Sequence, residues 1–253
     1  MSKLLEKLES VSRGSVPALG FKAATARTKN PAMVLIAALS EDDAKAAASA
    51  QQGADAVLLS LAKLSGEGLK HIVASLDSVI WGVSIKEVTP GKLSELKEMG
   101  CDFLVFAPQA PPALLRVEEM AKIVEIEPSL ADGLVRAIGG MPIDAALIGT
   151  EGELSLSIHH LMTYQRLINL LGKPLVVPVP IDIGREDLEG LQGVGIAGVL
   201  VHLEKGAKGK LSQLRQAIDA LPSPRKKKGK IEPLLPRIGE GEAIEAEPEE
   251  EEE

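Results

Sequence analysis

Lys86, Glu125, Glu127 and His202 each stand at or just beyond the end of a short apolar run. The runs are Val83-Ser84-Ile85-Lys86, Val124-Glu125-Ile126-Glu127 and Val199-Leu200-Val201-His202. An amine, carboxylates and an imidazole sharing one space can carry general acid–base catalysis. Lys86 has three roles open to it: a Schiff-base amine, a general base, or a cation that stabilises an enolate. Glu127, Glu151 and Asp182 offer oxygen ligands of the kind Mg²⁺ takes, since that ion keeps waters and needs few carboxylates. No spacing motif marks a metal site, and no other cofactor is identified. The structural alternative is an ion pair between Lys86 and Glu125 or Glu127, with the remaining charges solvated at a rim.

A second set of residues has the chemistry of anion binding. Gly206, Lys208 and Gly209 lie in Glu204-Lys205-Gly206-Ala207-Lys208-Gly209-Lys210, and Gly184 and Arg185 lie in Asp182-Ile183-Gly184-Arg185. Glycines let backbone N–H groups approach a phosphate, and the lysines add charge. The competing reading is an ordinary loop with surface lysines. His159 and His160 open a helical run, where adjacent residues do not share a face, so at most one can point toward a site. His71 falls within another helical run and reads as a surface residue.

These residues need elements to hold them, and the chain supplies a repeat. Gly53-Ala54-Asp55-Ala56-Val57-Leu58-Leu59 returns, altered, as Gly100-Cys101-Asp102-Phe103-Leu104-Val105-Phe106. It returns again as Asp144-Ala145-Ala146-Leu147-Ile148-Gly149 and as Gly195-Ile196-Ala197-Gly198-Val199-Leu200-Val201. Each time a helical run ends and an apolar strand follows at once, with another helix, strand and helix between copies. Strands are predicted at 33–39, 56–61, 79–85, 103–106, 122–126, 145–148, 175–181 and 196–203. Pro178 and Pro180 interrupt the seventh. Helices are predicted between them, among them one over 130–138 stopped by Gly139-Gly140 and one over 157–171 with Ile158, Leu161, Met162, Leu167, Ile168 and Leu171 on its apolar face. The helix after the fourth strand is cut short by Pro111-Pro112. Leu4, Leu5, Leu8 and Val11 make an amphipathic helix suited to plugging or flanking one end.

Eight strands alternating with helices over residues 1–221 predict an α/β fold, a (β/α)8 TIM barrel rather than an open sheet. The open sheet would carry a Gly-rich dinucleotide loop after strand one, where Ser40-Glu41-Asp42-Asp43 stands instead. In closed barrels the chemistry sits where the strands end. Alternation along the strands turns Gly82, Ser84 and Lys86 inward, with Glu125, Glu127, His202 and Glu204, and likewise Pro178, Pro180 and Asp182.

Composition sets limits. Apolar residues make up 45% of the 253 residues but aromatic ones only 2%, so the core must be aliphatic, and the scarcity of stacking platforms argues against single-stranded nucleic-acid binding. A net charge of −8 likewise argues against nucleic-acid binding. No apolar run reaches the length of a membrane span, about 18 residues. The single cysteine, Cys101, allows no disulfide within the chain, reads as a small buried residue, and fits a cytoplasmic protein. Residues 222–253 run from a basic stretch, Arg225 to Lys230, into the acids of Glu240 to Glu253, and predict a disordered tail.

On the Gly-Ala-Asp-Ala-Val-Leu-Leu strand entry and the glycine loop after strand eight, the chain resembles the aldolase-type (β/α)8 barrels that handle small phosphorylated metabolites. That resemblance implies a lyase or isomerase acting on a small anionic, phosphorylated metabolite. The paired-glycine turn usual after strand seven is replaced here by Ile183-Gly184-Arg185. The alternative is a non-catalytic barrel that binds a ligand or protein partner, with the charged tail as an interaction segment. Self-association is left open.

Overall fold

The computed structural model describes residues 2–13, 31–39, 50–51, 53–60, 66–76, 79–85, 90–149, 156–203 and 209–222. Eight parallel strands close into one barrel in sequence order. They are β1 (Val34–Leu39), β2 (Ala56–Ser60), β3 (Ile80–Ile85), β4 (Phe103–Phe106), β5 (Ala121–Ile126), β6 (Ala145–Ile148), β7 (Leu175–Pro178) and β8 (Gly198–Leu203). Closure is made by β1 on β8, from Val34 beside Gly198 to Leu39 beside Leu203. The TIM-barrel expectation is met.

Seven α-helices lie among the described residues: α1 (Lys3–Ser12), α2 (Gly66–Leu76), α3 (Pro90–Glu98), α4 (Asp132–Gly140), α5 (Ile158–Leu171), α6 (Arg185–Val194) and α7 (Lys210–Asp219). After β4 the chain makes only a 3₁₀ turn, Pro112–Arg116, as the paired prolines require. None of these helices is long and apolar enough to cross a membrane.

Strand alternation divides the core in two. Val83, Ile85, Val124, Ile126, Val199, Val201 and Leu203 belong to the outer layer, between sheet and helices. Val34, Ile36, Leu58, Phe103, Val105, Ile123, Leu147, Val176 and Leu200 fill the barrel. Leu4 and Leu8 of α1 join the inner set, so α1 plugs the end where the strands begin.

Three expectations are corrected. β7 ends at Pro178 instead of reaching Ile181: Pro178 and Pro180 have no N–H to give a ladder, although the Val179 N–H between them still donates to the Leu200 carbonyl at 2.8 Å. Helix α4 runs through Gly139 and Gly140 instead of stopping before them. A Cβ on Gly139 would lie 2.7 Å from the Leu171 carbonyl oxygen, so glycine there serves close packing of α4 on α5. On α5, Tyr164, Leu167 and Leu171 are buried, whereas Ile158 and Met162 are 78% and 66% exposed. Those two continue the row of Arg166, which binds Asp132 at 2.8 Å on the flank of the helix pair.

The tail from residue 223 onward, and the helix expected between β1 and β2 apart from its last residues, lie outside the described residues.

Candidate active site

The last inward residues of the strands surround a cavity of about 310 Å³ at the mouth where the strands end. Ala38 and Leu39 come from β1, Leu58 and Ser60 from β2, Ser84 from β3, Val105 from β4 and Glu125 from β5. Leu147 and Ile148 of β6, Pro178 of β7, and Leu200 and His202 of β8 complete it. The volume falls at the small end of the usual range for ligand pockets, and a mostly aliphatic wall with a few polar groups is the usual composition.

Glu125 and His202 are therefore brought to one cavity, as alternation implies. Glu125 is half-buried and His202 exposed. The Glu125 carboxylate lies against Gly149, where a Cβ would come within 3.2 Å of Oε1. No hydrogen bond or ion pair joins the side chains of Ser60, Ser84, Glu125 or His202 to another described residue. In a ring of eight, β2 faces β6, β3 faces β7, β5 faces β1 and β8 faces β4. On the strands opposite those of Ser60, Ser84, Glu125 and His202, the cavity lining includes Leu147, Pro178, Ala38 and Val105 respectively.

Other expected site residues lie elsewhere. Glu127 is exposed one residue beyond β5, with only a 3.5 Å hydrogen bond from the Ser129 hydroxyl. The Leu130 N–H donates to the Glu127 carbonyl at 3.1 Å, so the chain has already turned and strand alternation no longer applies. Pro180 and Asp182 are exposed beyond the end of β7, and neither lines the cavity. Among the described residues no group of three His, Cys, Asp or Glu is placed to hold a metal ion. Lys86, Glu151, Glu204, Gly206 and Lys208 lie outside the described residues.

Those of the expected anion-binding residues that are described stand at helix starts. Gly184 is the N-cap of α6, and Arg185 is turned along that helix to bind Glu189 at 2.9 Å. Gly209 caps α7 with φ +87°, a left-handed conformation that favours glycine. The first turn of α6 already carries Glu186 and Asp187, which answer its dipole; the first turn of α7 carries no acid.

The histidine pair has a structural task. The Ser157 hydroxyl accepts the His160 N–H and the Ser157 N–H donates to His160 Nδ1 at 3.2 Å, a reciprocal cap at the start of α5. His71 is exposed on α2. Ser60 and Ser84 are the lining residues that a search for charged groups passes over. The inward series Ala56, Leu58, Ser60 and Ile80, Gly82, Ser84 is the pattern that finds them.

No protein-family model matches this sequence, and no curated protein does. Solved structures do. The tryptophan synthase α-subunit of Pyrococcus furiosus superposes with a TM-score of 0.58 at 15% identity, over 74% of this chain and 96% of that one. Thiamine phosphate pyrophosphorylase of the same organism gives 0.55 at 11% identity, over 73% and 95%. A protein of Aquifex aeolicus VF5 gives 0.62 at 13% identity, over 85% and 98%. The likeness is one of fold. It places this chain among the TIM barrels, as the aldolase-type resemblance implies.

Proposed function

We propose that this barrel is an enzyme of the lyase or isomerase kind, moving a proton on a small anionic, phosphorylated metabolite held at the mouth. The observation that carries this reading is a set of polar groups that line one cavity and have no side-chain partner among the described residues. Glu125 and His202 have no hydrogen-bond or ion-pair partner among the described residues, and the rest of the described lining is mostly aliphatic. A carboxylate and an imidazole so placed can act on one substrate. Glu125 takes a proton from carbon beside a carbonyl, and the electron pair moves to the carbonyl oxygen. His202 hydrogen-bonds that oxygen and delivers a proton to it. Lys86 follows β3 by one residue in sequence and enters this reading as a cation near the same oxygen.

The phosphate is assigned to the rim, at the Gly209 end of α7 with Gly206 and Lys208 of the loop before it. Gly184 and Arg185 take a lesser part, since Glu186, Asp187 and Glu189 surround them with negative charge. The names of the two Pyrococcus furiosus neighbours support the class: both are enzymes, and one is named for a phosphorylated compound.

The test is a thermal-shift screen of the whole chain against phosphorylated sugars and keto acids, with turnover followed on any hit. A ligand at 100 times its dissociation constant adds about 2.7 kcal/mol. Glu125→Gln should keep binding and lose about 100-fold or more in turnover. Turnover at the parental rate by both Glu125→Gln and His202→Asn would overturn the proton-transfer assignment. Binding without turnover by the parent would make this a non-catalytic binding barrel.

A further inference from the structure

Resting on that reading, we infer that Ser60 and Ser84 form a hydroxyl-recognising pair, and that the part of the substrate inside the barrel is a short hydroxylated carbon chain. The two serines are register partners on β2 and β3. Neighbouring strands set them roughly 5 Å apart on the same inner face. Both are half-buried, both line the cavity, and neither has a side-chain partner among the described residues. Both hydroxyls open onto the cavity, where a ligand's oxygens can take the place of water as their bonding partners.

The surroundings narrow the chemistry further. Going round the ring, the polar groups occupy β8, β2, β3 and β5, while β6 and β7 present Leu147 and Pro178. A ligand here needs hydroxyl or carbonyl oxygens along one edge and C–H groups on the opposite face. A short polyol or hydroxy-ketone chain has that shape. The cavity of about 310 Å³ holds about ten atoms of water size. Its described lining contains no lysine or arginine, so the anionic group of the ligand belongs at the rim.

Three probes separate the parts of this assignment: inorganic phosphate, n-propyl phosphate and glycerol 3-phosphate. The last two share a three-carbon chain and differ in two hydroxyls. Dissociation constants are measured by calorimetry on the full chain and on Ser60→Ala, Ser84→Ala and the double variant. The parent is expected to prefer glycerol 3-phosphate to propyl phosphate by about tenfold or more. Each single variant should lose part of the preference and the double variant nearly all of it, with propyl phosphate affinity unchanged. Ser60→Thr and Ser84→Thr keep a hydroxyl and should keep part of the preference; they also stand in should an alanine variant fail to fold. Equal binding of the two organic phosphates by the parent overturns the hydroxyl assignment while the anionic-metabolite reading stands. So does a preference that survives in the double variant. Binding of none of the three probes overturns both.

Discussion

Asp102 Oδ2 accepts the Ser2 hydroxyl at 2.6 Å, joining residues 100 apart in sequence. The same carboxylate accepts the Lys3 N–H at 2.8 Å and the Leu4 N–H at 3.0 Å. The Ser2 oxygen in turn accepts the Leu5 N–H at 3.2 Å. A carboxylate is thereby set against the open N–H groups at the start of α1, where the helix dipole favours negative charge. The contact holds α1 beneath the barrel with Leu4 and Leu8 inside it.

Asp55 and Asp144, which occupy the same place in the repeat, do something else. Asp55 accepts the Leu35 N–H at 2.9 Å and Asp144 the Lys122 N–H at 2.7 Å, each tying one strand to the entry of the next. Asp55 also holds Lys7 of α1 and Arg215 of α7.

Asp102→Ala is expected to destabilise the fold by about 1–3 kcal/mol, since it leaves two N–H groups without their acceptor. Ser2→Ala should cost about 1 kcal/mol. Urea denaturation of both single variants and the double variant would check this. The two losses should sum to more than the loss in the double variant, because the residues share a bond. Strict additivity would show that Asp102 does not act through the α1 cap.

Gly82→Ala should be among the more damaging small changes. Gly82 faces into the barrel, and a Cβ there would lie 2.4 Å from the Phe103 carbonyl oxygen and 2.5 Å from its ring. Overpacking of this kind costs about 1–3 kcal/mol or more. A melting temperature equal to that of the parent would show that Phe103 can move aside.

Two glycines of α4 should respond in opposite directions. Gly133 has nothing within 4 Å of a built Cβ, so Gly133→Ala should gain about 0.5–1 kcal/mol from helix propensity. Gly139→Ala should instead destabilise, because its methyl group meets the α5 backbone at Leu171. Paired thermal melts decide the matter, and a gain in both would refute the packing explanation of Gly139.

Cys101 should be inert in the folded protein. Burial, the dominant cause, pushes its thiol up to about 12 from an ordinary 9.0, with the charge of Asp102 adding to the effect. Thiol reagents at pH 8 should label it only after denaturation. The sign of the pH effect follows from linkage: above about pH 9 the unfolded chain loses this proton first. The thiol's contribution to stability is whole below pH 9 and declines as pH rises toward about 12. A Cys101→Ala variant should lose this part of the alkaline decline. Rapid labelling of the native protein at pH 8 would contradict the burial.

Much of this protein was legible from sequence because strand alternation is local. Val83 beside Ser84, Val124 beside Glu125 and Val201 beside His202 settle which side of the sheet each residue takes, whatever lies across the barrel. The eight strand entries, the plug of Leu4 and Leu8, and the inward placing of Glu125 and His202 follow from that short-range rule. The rule ends where the strand ends. Glu127, Pro180 and Asp182 sit past their strands, where turn bonds instead of pleating set direction, and they are exposed and do not line the cavity. Only the closed ring decided which residue faces which. It brought Ser60, Ser84, Glu125 and His202 from four strands to one mouth, where none has a side-chain partner among the described residues. Likewise only the approach of α5 explains Gly139, which by sequence reads as a helix stop. Both depend on contacts between distant parts of the chain, and periodicity along one segment carries no information about its neighbour across a core.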